Sequence, residues 1–403
     1  MKPAMLSYVY GGMVMLEKMT IRNFKSFAGK VTADFAKTNY SLLPQNCSED
    51  GILKGVMFVG ANASGKSNVL MAVRILLEML FMERDVNSSL YKCLFNPDPE
   101  FALDYFFRIE GKEIEYEFIV NTQKHSITEN LFLEKKQILQ RMGNSARVYI
   151  TDTDGKLFEG DEVDSEILFL RTLYFNTRFA FSPVLKKWMD FLSGSVYINA
   201  FEKQIISYGR QNLSIIQYIK DQGPDAVNAF FDEYNFRQTI EYGHKSSGRN
   251  TIITVGESES EKDIFFKRKG IEEPIPFAYE STGNQNLIRF LPAFLTVADR
   301  GGILLIDEFS SGFHNELERL LIRYFMEKAV GSQMLFVTHS TNLLTNTLLR
   351  PDQEYTVEFE GKEGSSIRRV SSRQPRAAQN IEKMYLSGVF GGLPGYRKDI
   401  DEN

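Results

Sequence analysis

The stretch Val56-Met-Phe-Val-Gly60-Ala-Asn-Ala-Ser-Gly65-Lys66-Ser67-Asn-Val-Leu70 sets the terms for the rest of the chain. It opens on a short apolar run suited to a buried strand. It closes on a helix whose apolar positions, Val69, Val73, Leu76, Leu77 and Leu80, recur at helical spacing. Between the two, Gly60 to Ser67 fit the pattern G-x-x-x-x-G-K-[ST]. The glycines let the backbone curl so that successive N–H groups point inward at phosphate oxygens. Lys66 reaches the β- and γ-phosphates, and Ser67 offers a hydroxyl to Mg²⁺. The helix start adds its positive end to the anion site. The candidate contacts are therefore Gly60, Asn62, Ala63, Ser64, Gly65, Lys66, Ser67 and Asn68. A glycine turn before an ordinary helix would account for the glycines. It would not account for a lysine and a hydroxyl together at the helix start.

The surrounding chain has the material to build a core around such a loop. Its 403 residues suggest two or three domain-sized units, and 43% hydrophobic with 25% charged residues is ordinary globular composition. The formal charge, 47 − 52 = −5, carries no global signature of a nucleic-acid binder, although a local basic patch is compatible with it. Cys47 and Cys93 have no metal-ligand spacing, and so thiol-poor a chain fits a reducing cytoplasm. The opening Met1 to Met15 lacks a basic start and a cleavage site, which argues against a signal peptide. No run of 18 apolar residues exists, so no membrane span is expected.

Read in order, Leu16 to Phe24 and Val31 to Phe35 alternate like strands and could pair as a hairpin through Lys25 to Lys30. After the helix at about 69–83 the character changes. Phe101 to Glu110 and Glu113 to Val120 read as strand, turn, strand. Ile114, Tyr116 and Phe118 face one way, and Glu113, Glu115 and Glu117 the other, as in an antiparallel sheet with one solvated face. Glu129 to Lys135 and Ala146 to Thr151 continue the theme, with Asp154-Gly155 as a hairpin turn. Glu166 to Phe175 reads as helical or buried, and a mixed helical section follows to about Glu241, with Trp188, Phe191 and Leu192 in the core. Thr251 to Val255 and Asp263 to Lys267 look like strands between loops.

The last third holds a second set of chemistry-bearing residues. Gly302-Ile-Leu-Leu-Ile306 is wholly apolar and ends on Asp307 and Glu308, as a buried parallel strand delivering two acids would. Asp307 at the strand end would hold Mg²⁺, which prefers oxygen ligands, through water. Glu308 would polarise the attacking water as general base. Asn315 to Lys328 forms an amphipathic helix and Met334 to Ser340 another buried strand, completing a strand–helix–strand unit. His339 ends that strand, where an imidazole could meet the γ-phosphate or the water. Glu280-Ser281-Thr282-Gly283-Asn284-Gln285 precedes a helix over Leu287 to Val297 and gives it a capped, anion-tolerant start.

In this order the motifs resemble those of ATP-binding-cassette ATPases of the branch that includes RecF, RecN and the SMC proteins. Ile21-Arg-Asn-Phe-Lys-Ser-Phe27 resembles the Asn-Phe-Lys/Arg-Ser element of their opening strand, which implies a nucleotide contact for Lys25. Gly60 to Ser67 matches Walker A, and Ile303 to Glu308 matches Walker B. Ser310 to His314 stands where the D-loop belongs, and His339 matches the switch histidine. Ser281, Thr282, Gly283 and Gln285 resemble the Leu-Ser-Gly-Gly-Gln signature, with Thr282 for Ser and Asn284 for Gly. No glutamine marks a Q-loop. If Leu168 to Phe175 is the strand before it, Asn176 falls near the site. The tail Asn380 to Pro394 resembles the end of stand-alone prokaryotic ATPases paired with toxin or nuclease subunits in phage-defence systems.

The resemblance implies an α/β fold: a RecA-like P-loop core of ABC ATPase type with an antiparallel β-subdomain and a helical insertion. The expected segments are 1–95 and 271–350 for the two parts of the core. The β-subdomain would be 96–165, a helical or mixed insertion 166–270, and a C-terminal tail 351–403. The family's ATP is sandwiched between the Walker motifs of one subunit and the signature of another, which implies a homodimer or a higher even-numbered assembly using ATP and Mg²⁺. The cycle would sense infection and gate a separate toxin or nuclease effector. The alternative is a RecF-like DNA-repair ATPase, with Arg368, Arg369, Arg373 and Arg376 as a local patch. A third reading, a non-hydrolysing scaffold, is disfavoured by Glu308.

Overall fold

A computed structural model describes residues 13–85, 88–149, 158–160, 162–209, 211–244 and 262–394. The turn at Asp154-Gly155 and the strand at Thr251 to Val255 lie outside the described residues. In chain order, a hairpin of β1 (Val14–Phe24) and β2 (Phe27–Asp34) leads to β3 (Gly55–Val59) and α1 (Lys66–Phe81). A meander follows: β4 (Glu100–Ile109), β5 (Lys112–Asn121), β6 (Ser126–Leu133), β7 (Lys136–Met142), β8 (Ser145–Val148) and β9 (Phe158–Gly160). Next come α2 (Phe169–Thr177), α3 (Pro183–Ser193), β10 (Val196–Asn199), β11 (Gln204–Ser207), α4 (Ile215–Gln222) and α5 (Asp225–Glu233). Strands β12 (Gln238–His244), β13 (Lys262–Arg268) and β14 (Ile275–Pro276) precede α6 (Thr282–Arg300). The chain ends with β15 (Gly302–Asp307), α7 (Asn315–Lys328), β16 (Ser332–Val337), β17 (Glu354–Phe359), β18 (Ser365–Arg369) and α8 (Ile381–Leu386).

Three sheets result. The core sheet has the order β11-β10-β15-β16-β3-β17-β18. Its five inner strands are parallel and its two edges antiparallel. Strand β15 shows why its sequence is apolar throughout. Ile303 and Leu305 face the core shared with α1 and α3, while Leu304 and Ile306 face the core shared with α6 and α7. A strand covered on both faces has no polar side to present. The second sheet, β2-β1-β4-β5-β6-β7-β8-β9, is antiparallel throughout. Its inward residues, among them Ile114, Tyr116 and Phe118, pack onto α1 and α3. The third sheet, β12-β13-β14, lies in a lobe with α5 beside it.

Helix α1 is thus buried between two sheets, with ten apolar residues from Val69 to Leu80 nearly all inaccessible. The hairpin β1–β2 is tight: Phe24 pairs Phe27 across Lys25 and Ser26, and Asn23 and Lys25 both take left-handed backbone at φ 51° and 53°. The antiparallel sheet begins with this hairpin, and the core sheet takes in β10 and β11 from residues 196–207. Leu168 to Phe175, the candidate strand before the Q-loop, is instead helix α2 with Asn176 exposed on it. On the side away from β16, β15 pairs in parallel with β10, whose register sets Asn199 opposite Asp307. No helix among the described residues is long and apolar enough to cross a membrane.

Candidate nucleotide site

Parallel pairing puts the loops after β3, β10, β15 and β16 on one edge of the core sheet, where α/β sheets place ligands. The loop after β3 is packed from outside at both ends. A Cβ on Gly60 would stand 2.3 Å from the Val357 carbonyl oxygen. Gly65 caps α1 with φ 100°, and a Cβ there would meet Ser365 Oγ at 2.4 Å and Ser26 Oγ at 2.5 Å. Only glycine fits either position, so the spacing of the two glycines is a packing requirement as well as a conformational one.

Lys66 is 5% exposed. Its ammonium donates to the carbonyls of Gly60 (3.1 Å) and Ala61 (2.7 Å) in the same loop. Burial lowers its pKa, and Glu308 and Asp307 pull it back up. A buried cation in this position favours an anion beside it. Ser67 Oγ donates to Asp307 Oδ1 at 3.0 Å, which brings the two candidate Mg²⁺ residues into contact. Asp307 is 7% exposed, and burial raises its pKa while the Ser67 hydrogen bond lowers it. Hard oxygen donors on a buried carboxylate and a helix-start hydroxyl suit a small divalent cation. Ser64 Oγ is buried without a hydrogen-bond partner, an orphan hydroxyl in a loop otherwise built of backbone donors.

Glu308 takes left-handed backbone, φ 54°, directly after β15, which turns its side chain away from the strand. Ser311 Oγ donates to Glu308 Oε2 at 3.3 Å, and His339 Nε2 stands 3.7 Å from the same oxygen. The His339 backbone N–H donates to Ser310 Oγ at 3.2 Å, so the loop after β15 holds the turn after β16. Together these groups line an open cleft of about 850 Å³. Asn62, Ala63, Gly65, Lys66, Ser67 and Asn68 form one wall, and Glu308, Ser311, His339 and Phe201 the other.

Not every expected residue reaches it. Lys25 is not among the lining residues: its ammonium sits 5.4 Å from the centre of the Tyr91 ring, and burial lowers its pKa. Asn68 lines the cleft, but its side-chain amide donates to Ser26 Oγ at 2.8 Å. Ser281, Thr282, Gly283 and Gln285 stand at the start of α6 and none of them lines this cleft. Ser281 Oγ caps α6 by accepting from the Asn284 N–H, and Gln285 Nε2 donates to the carbonyls of Phe277 and Glu280. Two residues went unnoticed in the sequence: Phe201, which lines the cleft, and Asn199, which pairs with Asp307. The short apolar run Val196-Tyr-Ile-Asn was the one signal that could have exposed them. Ser311 lines the cleft from the stretch expected as the D-loop.

Residues 56–345 match the family model described as "AAA domain, putative AbiEii toxin, Type IV TA system". The chain belongs to this family. The match runs from β3 through the turn that follows His339 and so spans both walls of the cleft. It identifies the P-loop α/β core as an AAA domain. No curated protein matches the chain. Among solved structures, the SMC head domain from Thermotoga maritima is 14% identical, covering 87% of this chain and 97% of that one with a TM-score of 0.46. An SMC head bound to the C-terminal winged-helix domain of ScpA is 12% identical, with 87% and 97% coverage and a TM-score of 0.49. An Smc head with an extended coiled coil, bound to the C-terminal domain of ScpA derived from Pyrococcus furiosus, is 13% identical, with 88% and 96% coverage and a TM-score of 0.47.

Proposed function

We propose that this AAA-family chain binds and hydrolyses ATP at a homodimer interface and uses the cycle to gate a separate toxin or nuclease effector in phage defence. The observation that carries the ATPase half is the convergence of Lys66, Ser67, Glu308 and His339 on one cleft, with Asp307 hydrogen-bonded to Ser67, from segments up to 273 positions apart (339 − 66). Ser67 and Asp307 would hold Mg²⁺, which supplies charge neutralisation on the phosphates when bound. The phosphate-loop amides and Lys66 bind and orient the triphosphate. Glu308 accepts the proton of the attacking water on one carboxylate oxygen, with Ser311 and His339 fixing that carboxylate.

The dimer follows from what the cleft leaves out. The cleft is open to the outside and the signature stretch at the start of α6 does not line it, so a second copy is the natural source of further donors. The effector half of the reading rests on the family description, which names a toxin–antitoxin system. The free thiols Cys47 and Cys93 support a cytoplasmic setting. DNA binding is not favoured. Arg368 pairs with Glu358 (3.2 Å) and Glu360 (2.7 Å), and Arg369 donates to the Asp352 and Ala36 carbonyls.

Glu308→Gln tests the proposal. Steady-state ATP hydrolysis should fall by about a hundredfold or more, while ATP binding persists and ATP shifts the variant to a dimer in light scattering. Unchanged turnover would remove Glu308 as the base. Nuclease activity of the purified chain alone with Mg²⁺ would remove the separate effector.

A further inference from the structure

Three hydrogen bonds join the phosphate loop to a strand 301 positions away in sequence. Asn68 Nδ2 donates to Ser26 Oγ at 2.8 Å. Ser26 Oγ and Ser365 Oγ are 2.8 Å apart. Ser365 Oγ donates to the Ser64 carbonyl at 2.7 Å. In the Ser26–Ser365 contact Ser365 is the donor, and Ser26 Oγ accepts from both Asn68 and Ser365. Ser365 has one hydroxyl proton, so Ser26 Oγ and the Ser64 carbonyl share it.

The two serines are held from behind. Ser365 is 3% exposed, and its backbone N–H donates to the Ser26 carbonyl at 2.7 Å. The preceding Gly364, φ 76°, lies so close to the β1–β2 turn that a Cβ would stand 2.4 Å from Ser26 O and 2.7 Å from Ala28 N. The hydroxyls thus sit on two turns clamped together, pressed against Gly65.

We propose that Ser365 is a positioning residue for phosphate binding, acting through the peptide unit between Ser64 and Gly65. In a trans peptide the carbonyl and the next N–H point in opposite directions. Holding the Ser64 carbonyl toward Ser365 aims the Gly65 N–H the other way, at the cleft that Gly65 lines. Ser26 Oγ is the other acceptor within reach of the same Ser365 proton. The antiparallel sheet and the C-terminal hairpin β17–β18 thereby set the aim of one phosphate donor. This inference rests on the ATP reading of the cleft.

The test is a double-mutant cycle of Ser365→Ala, Ser26→Ala and the double variant. The readouts are the Kd for a fluorescent ATP analogue and steady-state kcat, with melting temperature as the folding control. Losing one aiming hydrogen bond should raise Kd about fivefold to tenfold, with kcat within about twofold, since the reacting groups are untouched. Because Ser26 acts on that carbonyl only by competing for the Ser365 proton, Ser26→Ala alone should bind within about twofold of wild type and the double variant no more weakly than Ser365→Ala alone. Wild-type Kd in Ser365→Ala, a loss confined to kcat, or effects that multiply in the double variant would each overturn the proposal. If Ser365→Ala does not fold, Ser365→Cys carries the test, because it keeps the side-chain shape and replaces the hydroxyl with a much weaker donor. If the wild-type chain binds no ATP analogue, the ATP reading fails and this proposal with it. Tight wild-type binding with an indifferent Ser365→Ala sinks this proposal alone.

Discussion

Asp104 sits directly opposite Glu117 in the β4–β5 pair, away from the cleft. Burial first, and then the Glu117 charge, push the Asp104 carboxyl up to about 6. A carboxyl with a raised folded pKa favours the native state while protonated. That contribution is complete below the ordinary aspartate range and is lost as pH rises through about 6. Asp104→Asn should therefore raise the melting temperature at pH 8 and leave it nearly unchanged at pH 4. Melting curves across that range check it, and an equal effect at both pH values would show that charge is not the cause. The same residue scale separates what the sequence discloses from what it hides. Lys66, Ser67 and Asp307 declare themselves because each stands in a short motif of consecutive residues, Gly60 to Ser67 or Ile303 to Glu308. Ser26 hides because its partners, Asn68 and Ser365, lie 42 and 339 positions off. Lys25 was the more conspicuous neighbour, yet it packs against Tyr91.

Among the elements, the parallel strands and α1 are legible because a strand or helix buried all round is largely apolar, as β15 is from Gly302 to Ile306 and β16 from Met334 to Val337. Strand β10 is not legible in that way. It has four residues, and its meaning comes from a parallel register that sets Asn199 beside Asp307, 108 positions later. Such pairing is decided by tertiary packing. A second hidden element joint lies where β6, β7 and α2 meet. The stripe Glu113, Glu115 and Glu117 stays partly exposed, but Glu129, on the next strand opposite the inward Phe118, is 0% exposed, as is its partner Arg141. Its carboxylate accepts from Arg141 Nη1 (3.1 Å), the Tyr116 hydroxyl (2.8 Å) and the N–H groups of Phe169 and Leu170 at the start of α2. Arg141 in turn donates to the carbonyls of Gly143, Asp164 and Ile167. Removing one charge of such a pair leaves the other buried and uncompensated. Glu129→Gln should destabilise the chain by about 3–5 kcal/mol in urea unfolding. A cost under about 1 kcal/mol would mean that water or a shifted Arg141 replaces the charge.

At the scale of the molecule, the question is whether the start of α6 and the phosphate loop complete the same site or two sites in a pair of chains. On one chain the cleft is lined by the phosphate loop and the loops after β10, β15 and β16, without residues 281–285. A symmetric dimer that meets across this edge would contain two composite sites, each taking its phosphate loop from one chain and its α6 start from the other. This arrangement makes a prediction that no folding defect can imitate. A chain with Lys66→Ala cannot bind phosphate well, and a chain with Ser281→Arg blocks its neighbour's site with a bulky side chain. Each variant alone should be nearly inactive. Mixed at equal amounts, half of the dimers are hybrids if exchange is random. In each hybrid both lesions fall in one site, and the other site is built only of intact parts. Hydrolysis should therefore recover to about a quarter of the wild-type rate per chain. If the sites are complete within one chain, every site in the mixture still carries one lesion, and mixing restores nothing. A steady-state phosphate-release assay on the mixture decides between the two, and dilution below the dimer's dissociation range should erase the recovered activity.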